Sequence, residues 1–190
     1  MSFLRAFIFF ILFLSFVGCA VTTDRQAVLA SLRGDAKGGA IIEGVPFFSQ
    51  DEYMCGPAAL AGVMAFYGSE DTMDDVGRAV YNEKLRGTLP IDLLAYAKEK
   101  GFDASFYKGS LGDLQARLKD GSPLILFLNL GYDFYPVGHY IVATGISERA
   151  RVVVAHSGTE QDKVYSFIEL KKAWSKTGYA TLAVRPKGMK

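Results

Sequence analysis

The hydrophobic period of this chain changes partway along it. Between residues 55 and 119 apolar side chains recur at helical spacing, whereas from Leu124 onward they gather in short apolar or β-branched runs separated by turn residues. Leu60, Val63, Met64 and Tyr67 stand at i, i+3, i+4 and i+7, which predicts a helix over 55–67 with Gly68 as its stop and Pro57 tolerated in its first turn. Helices are also predicted over 73–81 behind Thr72 and Asp75, over 90–99 between Pro90 and Gly101, over 111–119 behind Ser110 and Asp113, and over 167–174 behind Ser166 and Glu169. Strands are predicted over 124–130, 140–146, 152–155 and 179–184. Helices first and mostly strands afterwards, without regular alternation, predict an α+β fold rather than a doubly wound sheet.

The 190 residues suffice for one domain of ordinary size. Lysine and arginine number 21 against 20 acidic residues, with no basic run to track a phosphate backbone, so no nucleic-acid partner is expected. Fourteen Phe and ten Tyr provide enough apolar surface to exclude a disordered chain. Two cysteines make neither a disulfide scaffold nor a four-cysteine zinc site.

Residues 1–18 read as a secretory signal: Arg5, the uncharged run Ala6 to Val17, then Gly18. That run is well short of the roughly 20 residues a membrane span needs. Phe16, Val17, Gly18 and Cys19 resemble the lipobox of bacterial lipoproteins, which implies cleavage before Cys19 and its modification by diacylglycerol. Ala20 in the next position implies an outer-membrane location facing the periplasm. Residues 19–43, rich in Ala, Gly, Thr and charge, are expected to be the lipidated Cys and a tether with a short helix around 26–33, and residues 44–190 the domain. Cys55 is then the only thiol of the mature chain in an oxidising compartment.

Cys55 opens its predicted helix, where unpaired amides and the helix dipole favour an anion and bias a thiol toward thiolate. Gly56 admits close approach of a substrate to the backbone. Gln50 offers a side-chain amide that, beside the amide of Cys55, could donate to an oxyanion. His139, in Gly138-His139-Tyr140 at the start of a strand, is a candidate base. The aromatic run Tyr132 to Tyr135 before it is a candidate cleft wall.

The stretch Val45-Pro46-Phe47-Phe48-Ser49-Gln50, four residues, then Cys55-Gly56-Pro57-Ala58-Ala59-Leu60, together with Gly138-His139-Tyr140-Ile141-Val142-Ala143-Thr144-Gly145, resembles the papain clan of cysteine peptidases. The similarity is greatest to the bacteriocin-processing, double-glycine peptidase-like family, and the strand and helix from Val152 to Trp174 extend it. The resemblance implies a papain-like fold in which the helix bearing Cys55 packs on an antiparallel sheet bearing His139. It also implies Gln50 as oxyanion donor, Cys55 as nucleophile, His139 as base, and a peptide or protein substrate in the cell envelope.

Where that family carries Asp or Asn, this chain has His156. A neutral His156 could accept from the ring of His139 and set its tautomer, without a charge to stabilise an imidazolium; Asp162 or water could serve instead. Three functions follow. The first is a lipid-anchored thiol hydrolase or acyl transferase acting on peptide or amide bonds without a cofactor. The second is a binding or assembly lipoprotein that keeps the cleft. The third is a zinc site of Cys55, His139 and His156, which explains a helix-start Cys near a Gln less well than nucleophilic catalysis does.

Overall fold

The computed structural model describes residues 24–34, 38–50 and 53–189. The signal segment and Cys19 lie outside the described residues. Helix α1 (Arg25–Gly34) and strand β1 (Gly39–Ile41) come first, then three helices, α2 (Cys55–Phe66), α3 (Met73–Val80) and α4 (Pro90–Glu99). There follow β2 (Phe102–Lys108), α5 (Leu111–Lys119), β3 (Leu124–Asn129), β4 (Gly138–Ser147), β5 (Val152–Ser157), β6 (Glu160–Ser166), α6 (Phe167–Ser175) and β7 (Ala180–Pro186).

The strands form one antiparallel sheet in the order β2-β7-β3-β4-β5-β6, with β1 paired to the end of β4 beyond the reach of β3. Helices cover both faces. Leu60, Val63, Met64, Val76 and Leu93 of α2, α3 and α4 pack on Ile125, Tyr140, Val142 and Leu182. Leu114, Leu118, Leu170 and Trp174 of α5 and α6 pack on Leu124, Leu126, Leu128 and Ile141. A strand buried on both faces loses its polar alternation, which is why β3 and the core of β4 read as unbroken apolar runs.

The predicted helices and central strands form; three strands are absent from the sequence reading, the short β1 and the two sheet edges, β2 and β6. β2 fully buries only Ala104, and β6 buries none of its residues fully. Edge strands carry charge and polar groups that discourage pairing with another chain, and so lack the apolar signature of a strand.

The stretch expected as a tether is folded from Arg25. Helix α1 buries Val28, Leu29 and Leu32 against Val152 and Val154, and β1 joins the sheet through Gly39↔Ser147. Three apolar side chains on one face were enough to dock α1, too few to stand out in a polar composition.

Helix α2 is central: every residue from Cys55 to Met64 is buried. A Cβ on Gly62 would stand 2.7 Å from the Pro46 carbonyl, so this glycine allows the segment leading to Gln50 to lie against the helix. Thr72 and Asp75 close a reciprocal capping box on α3, as Ser166 and Glu169 do on α6. At α5 the Ser110 hydroxyl accepts from the Asp113 N–H, while the Asp113 carboxylate accepts from the Tyr107 hydroxyl at 2.7 Å.

Candidate active site

Met54 precedes α2 without a side-chain cap, so the first amides of the helix are not claimed by a neighbouring side chain. The backbone N–H groups of Tyr140, Gly56 and Cys55 are directed at the Cys55 thiol. Cys55 is only 7% exposed, and burial pushes its thiol pKa above the ordinary value in spite of those donors. The expectation of a depressed pKa is thereby corrected: a helix start favours thiolate where it meets solvent, and this one is sunk beneath the sheet edge. Gly56 also serves differently from expectation. Its missing side chain makes room for Thr88, whose Cβ would be 3.0 Å from a Cβ at this position.

A cavity of about 20 Å³, room for roughly one water, adjoins Cys55 and is lined by Gln50, Tyr140, His156 and Ser157 among others. A larger one of about 560 Å³ is lined by His139, Tyr53, Leu130 and Val137. Gln50 and Gly158 line both, and the Gln50 N–H donates to the Gly158 carbonyl at 3.4 Å. The Gln50 side-chain oxygen is buried without a hydrogen-bond partner among the described residues. The amide is thus held between the thiol and the wider cavity. The aromatic run stands at the tip of the β3–β4 hairpin, with Tyr132, Phe134 and Tyr135 at 69%, 87% and 70% exposure. The wall of the cleft is formed by Leu130 and Val137 instead, because the hairpin carries the rings past it.

His139 lies one residue before the N–H that meets the thiol. Among the described residues no hydrogen bond joins its ring to the sulfur; Nε2 pairs with Ser157 Oγ at 2.9 Å, and Ser157 Oγ accepts from the Tyr165 hydroxyl at 2.8 Å. Burial, reinforced by the positive charge of Lys163, holds His139 below the ordinary histidine pKa. Thiol and imidazole are therefore both biased toward their neutral forms.

His156 does not reach His139. Its Nε2 pairs with the Val45 carbonyl at 3.0 Å and its Nδ1 accepts from the Asp162 N–H at 3.2 Å, which assigns a neutral ring protonated at Nε2. Strand parity is the cause. Val142 pairs with His156 and Ala143 with Ala155, so Ala155 and Ser157 share the face of β4 that carries Ala143, Ile141 and His139. His156 points to the opposite face, where it ties β5 to the Val45 segment. Nor does Asp162 meet His139; its Oδ1 lies 3.5 Å from His156 Nδ1. With both ring nitrogens engaged, His156 has no lone pair for zinc, and among the described residues no group of three His, Cys, Asp or Glu side chains is placed to hold a metal. Ser157 and Tyr165 escaped sequence reasoning because a serine and a tyrosine on adjacent strands signal nothing until the register is known.

A cysteine at the start of a buried helix, set against an antiparallel sheet that carries a histidine on a neighbouring strand end, defines the papain-like class of cysteine peptidase folds. The chain belongs to the Peptidase_C39 like family, whose model matches residues 42–182. No curated protein matches the sequence. Among solved structures it is similar to a C39-like peptidase from Bacillus anthracis, at TM-score 0.66 and 15% identity over 78% of this chain and 98% of that one. A double glycine motif protease from an AMS/PCAT transporter, solved in complex with the leader peptide, matches at TM-score 0.59 and 20% identity over 78% and 99%. Xylellain, a cysteine protease from Xylella fastidiosa, matches at 0.56 and 12% over 82% and 88%. These likenesses establish the fold.

Proposed function

We propose that this protein is a lipid-anchored cysteine peptidase of the bacterial cell envelope, cutting or transferring peptide or amide bonds through Cys55. The observation that carries the reading is the convergence of three backbone N–H groups and the Gln50 cavity on the thiol at the start of α2. His139 takes the thiol proton as the sulfur attacks the carbonyl, because neither group favours its charged form beforehand. The Cys55 amide and the Gln50 side-chain amide donate to the developing oxyanion. The imidazolium then protonates the leaving amine, and water releases the acyl group with His139 again as base.

The small cavity at the sulfur favours a substrate with glycine-sized residues beside the scissile bond, in keeping with the double-glycine protease relative that binds a leader peptide. Peptides with Gly at that position should be cut, and the same peptides with Leu should not. A peptide-based thiol-reactive probe should label the wild type and neither Cys55→Ala nor, at a comparable rate, His139→Ala. Lack of labelling of the wild type would leave the second reading, a non-catalytic binding lipoprotein, which is favoured by one observation: among the described residues no carboxylate meets the ring of His139.

The anchor is part of the same proposal. Intact mass of membrane-extracted protein should show loss of residues 1–18 and an acyl-modified Cys19.

A further inference from the structure

We infer that Ser157, held in place by Tyr165, is the positioning residue of the site, occupying the third place that the family resemblance gives to His156. The inference rests on the peptidase reading above but is carried by its own geometry. Ser157 Oγ lies 2.9 Å from His139 Nε2 and accepts from the Tyr165 hydroxyl at 2.8 Å, and Ser157 is only 7% exposed. The parity of the β4–β5 pairing keeps His139 and Ser157 on one face and turns His156 to the other, so no side-chain rotation exchanges the two partners.

A serine suits the task differently from a carboxylate. With the Tyr165 proton on one lone pair, Ser157 still has a second lone pair and its own proton. It can accept from Nε2–H, the tautomer that leaves the other ring nitrogen free as a base, and it continues to accept when that nitrogen takes the thiol proton. It orients the ring through the whole cycle yet brings no negative charge to the imidazolium. The charged group nearby has the opposite effect: Lys163 of β6, paired with Glu160 and lying over the Tyr165 ring, disfavours the cation. β3 places Leu128 opposite His139, with no charge of its own. The site is therefore built to run from a neutral thiol and a neutral imidazole rather than from a standing ion pair.

The test installs the missing charge in each of the two candidate places. Ser157→Asp puts a carboxylate between the Tyr165 hydroxyl and His139 Nε2, where an adjacent opposite charge raises an imidazole pKa by about one to three units. The chain has only two histidines, so nitrogen–proton spectra of the imidazoles follow each separately as pH is varied. In Ser157→Asp the His139 midpoint should rise by about one unit or more, and iodoacetamide should alkylate Cys55 at neutral pH about tenfold faster or better. His156→Asp should leave both readouts where they stand in the wild type. With p-nitrophenyl acetate as acyl donor, the sulfur bonds to the acetyl carbon, the thiol proton passes to His139 and p-nitrophenolate leaves. Ser157→Ala should slow this step about tenfold, and Ser157→Thr, which keeps the hydroxyl, should restore it.

An unmoved His139 midpoint in Ser157→Asp, or an equal rise in His156→Asp, overturns the inference. Both can be read whether or not the enzyme turns over. If the His139 midpoint moves as expected but Cys55 alkylation does not follow, the positioning role stands and it is the Cys55–His139 peptidase reading that fails. Should Ser157→Asp not fold, the wild-type spectrum decides alone: a His139 Nε2–H that exchanges with solvent as freely as an exposed imidazole is incompatible with a held Ser157 acceptor.

Discussion

The N–H of Tyr140 is directed at the sulfur of Cys55, so strand β4 delivers a hydrogen-bond donor to the thiol in the residue step immediately after His139. This one contact couples the two halves of the molecule. It forms because β5 pairs with β4 only as far as Val142↔His156, leaving the first residues of β4 without a strand on that side, and the start of α2 fills the opening. Two opposed effects meet there: donors that favour thiolate and burial that disfavours it, with burial the larger.

Cys55 should therefore ionise above the ordinary thiol range. The rate of iodoacetamide alkylation against pH should rise to a plateau only at alkaline pH, and Cys55→Ser should abolish it. A midpoint below about 8.5 would mean that the converging N–H groups outweigh desolvation.

The depressed pKa of His139 links stability to pH in a defined window. Unfolded, the ring titrates near 6.5; folded, it titrates lower, so below about 6.5 the unfolded chain binds a proton that the folded chain does not. Stability is thus fully present above that value and is lost as pH falls through the folded pKa, by about 1.4 kcal/mol for each unit of depression. Urea midpoints between pH 8 and 5 should show this slope, and His139→Gln should flatten it. The carboxylates of Asp71, Asp75 and Glu169, all held below their usual values by hydrogen bonds, act only at lower pH, in the carboxylate range.

His156 is a structural tie, and its loss should act on stability rather than reactivity. His156→Ala leaves the Val45 carbonyl and the Asp162 N–H without their partner, at a cost of about 1–3 kcal/mol for a buried group left unpaired. Denaturation should register this while Cys55 alkylation keeps its pH midpoint. A shifted midpoint would return His156 to the site.

Gly62→Ala tests the seat of Gln50. The added methyl meets the Pro46 carbonyl at a distance real side chains do not adopt, so the segment from Val45 to Gln50 must move away from α2. Overpacking of this kind costs about 1–3 kcal/mol. Labelling by a peptide probe should fall more than alkylation by iodoacetamide, since the small reagent needs no oxyanion donor.

The local rules of the chain reached far into this fold. Apolar spacing placed α2, side-chain oxygens at Thr72, Ser110 and Ser166 placed the starts of α3, α5 and α6, Pro90 and Gly101 bounded α4, and turn residues separated the central strands. These are determined within a few residues of the position concerned, and so are written in the sequence itself. The same is true of Cys55 at a helix start and of Gln50 and His139 in their motifs. The partner of His139 was not legible, since it depends on which residues of β5 share a face with those of β4. A shift of one residue in that pairing would exchange Ser157 for His156, and only the assembled sheet, with α2 on one face and α5 and α6 on the other, fixes the register. The ionisation of Cys55 was hidden for a related reason: a helix terminus is a local property, but the depth at which it is buried is set by everything packed around it. The edge strands β2 and β6 complete the pattern, because their place at the border of the sheet comes from what their neighbours already bury rather than from apolar residues of their own.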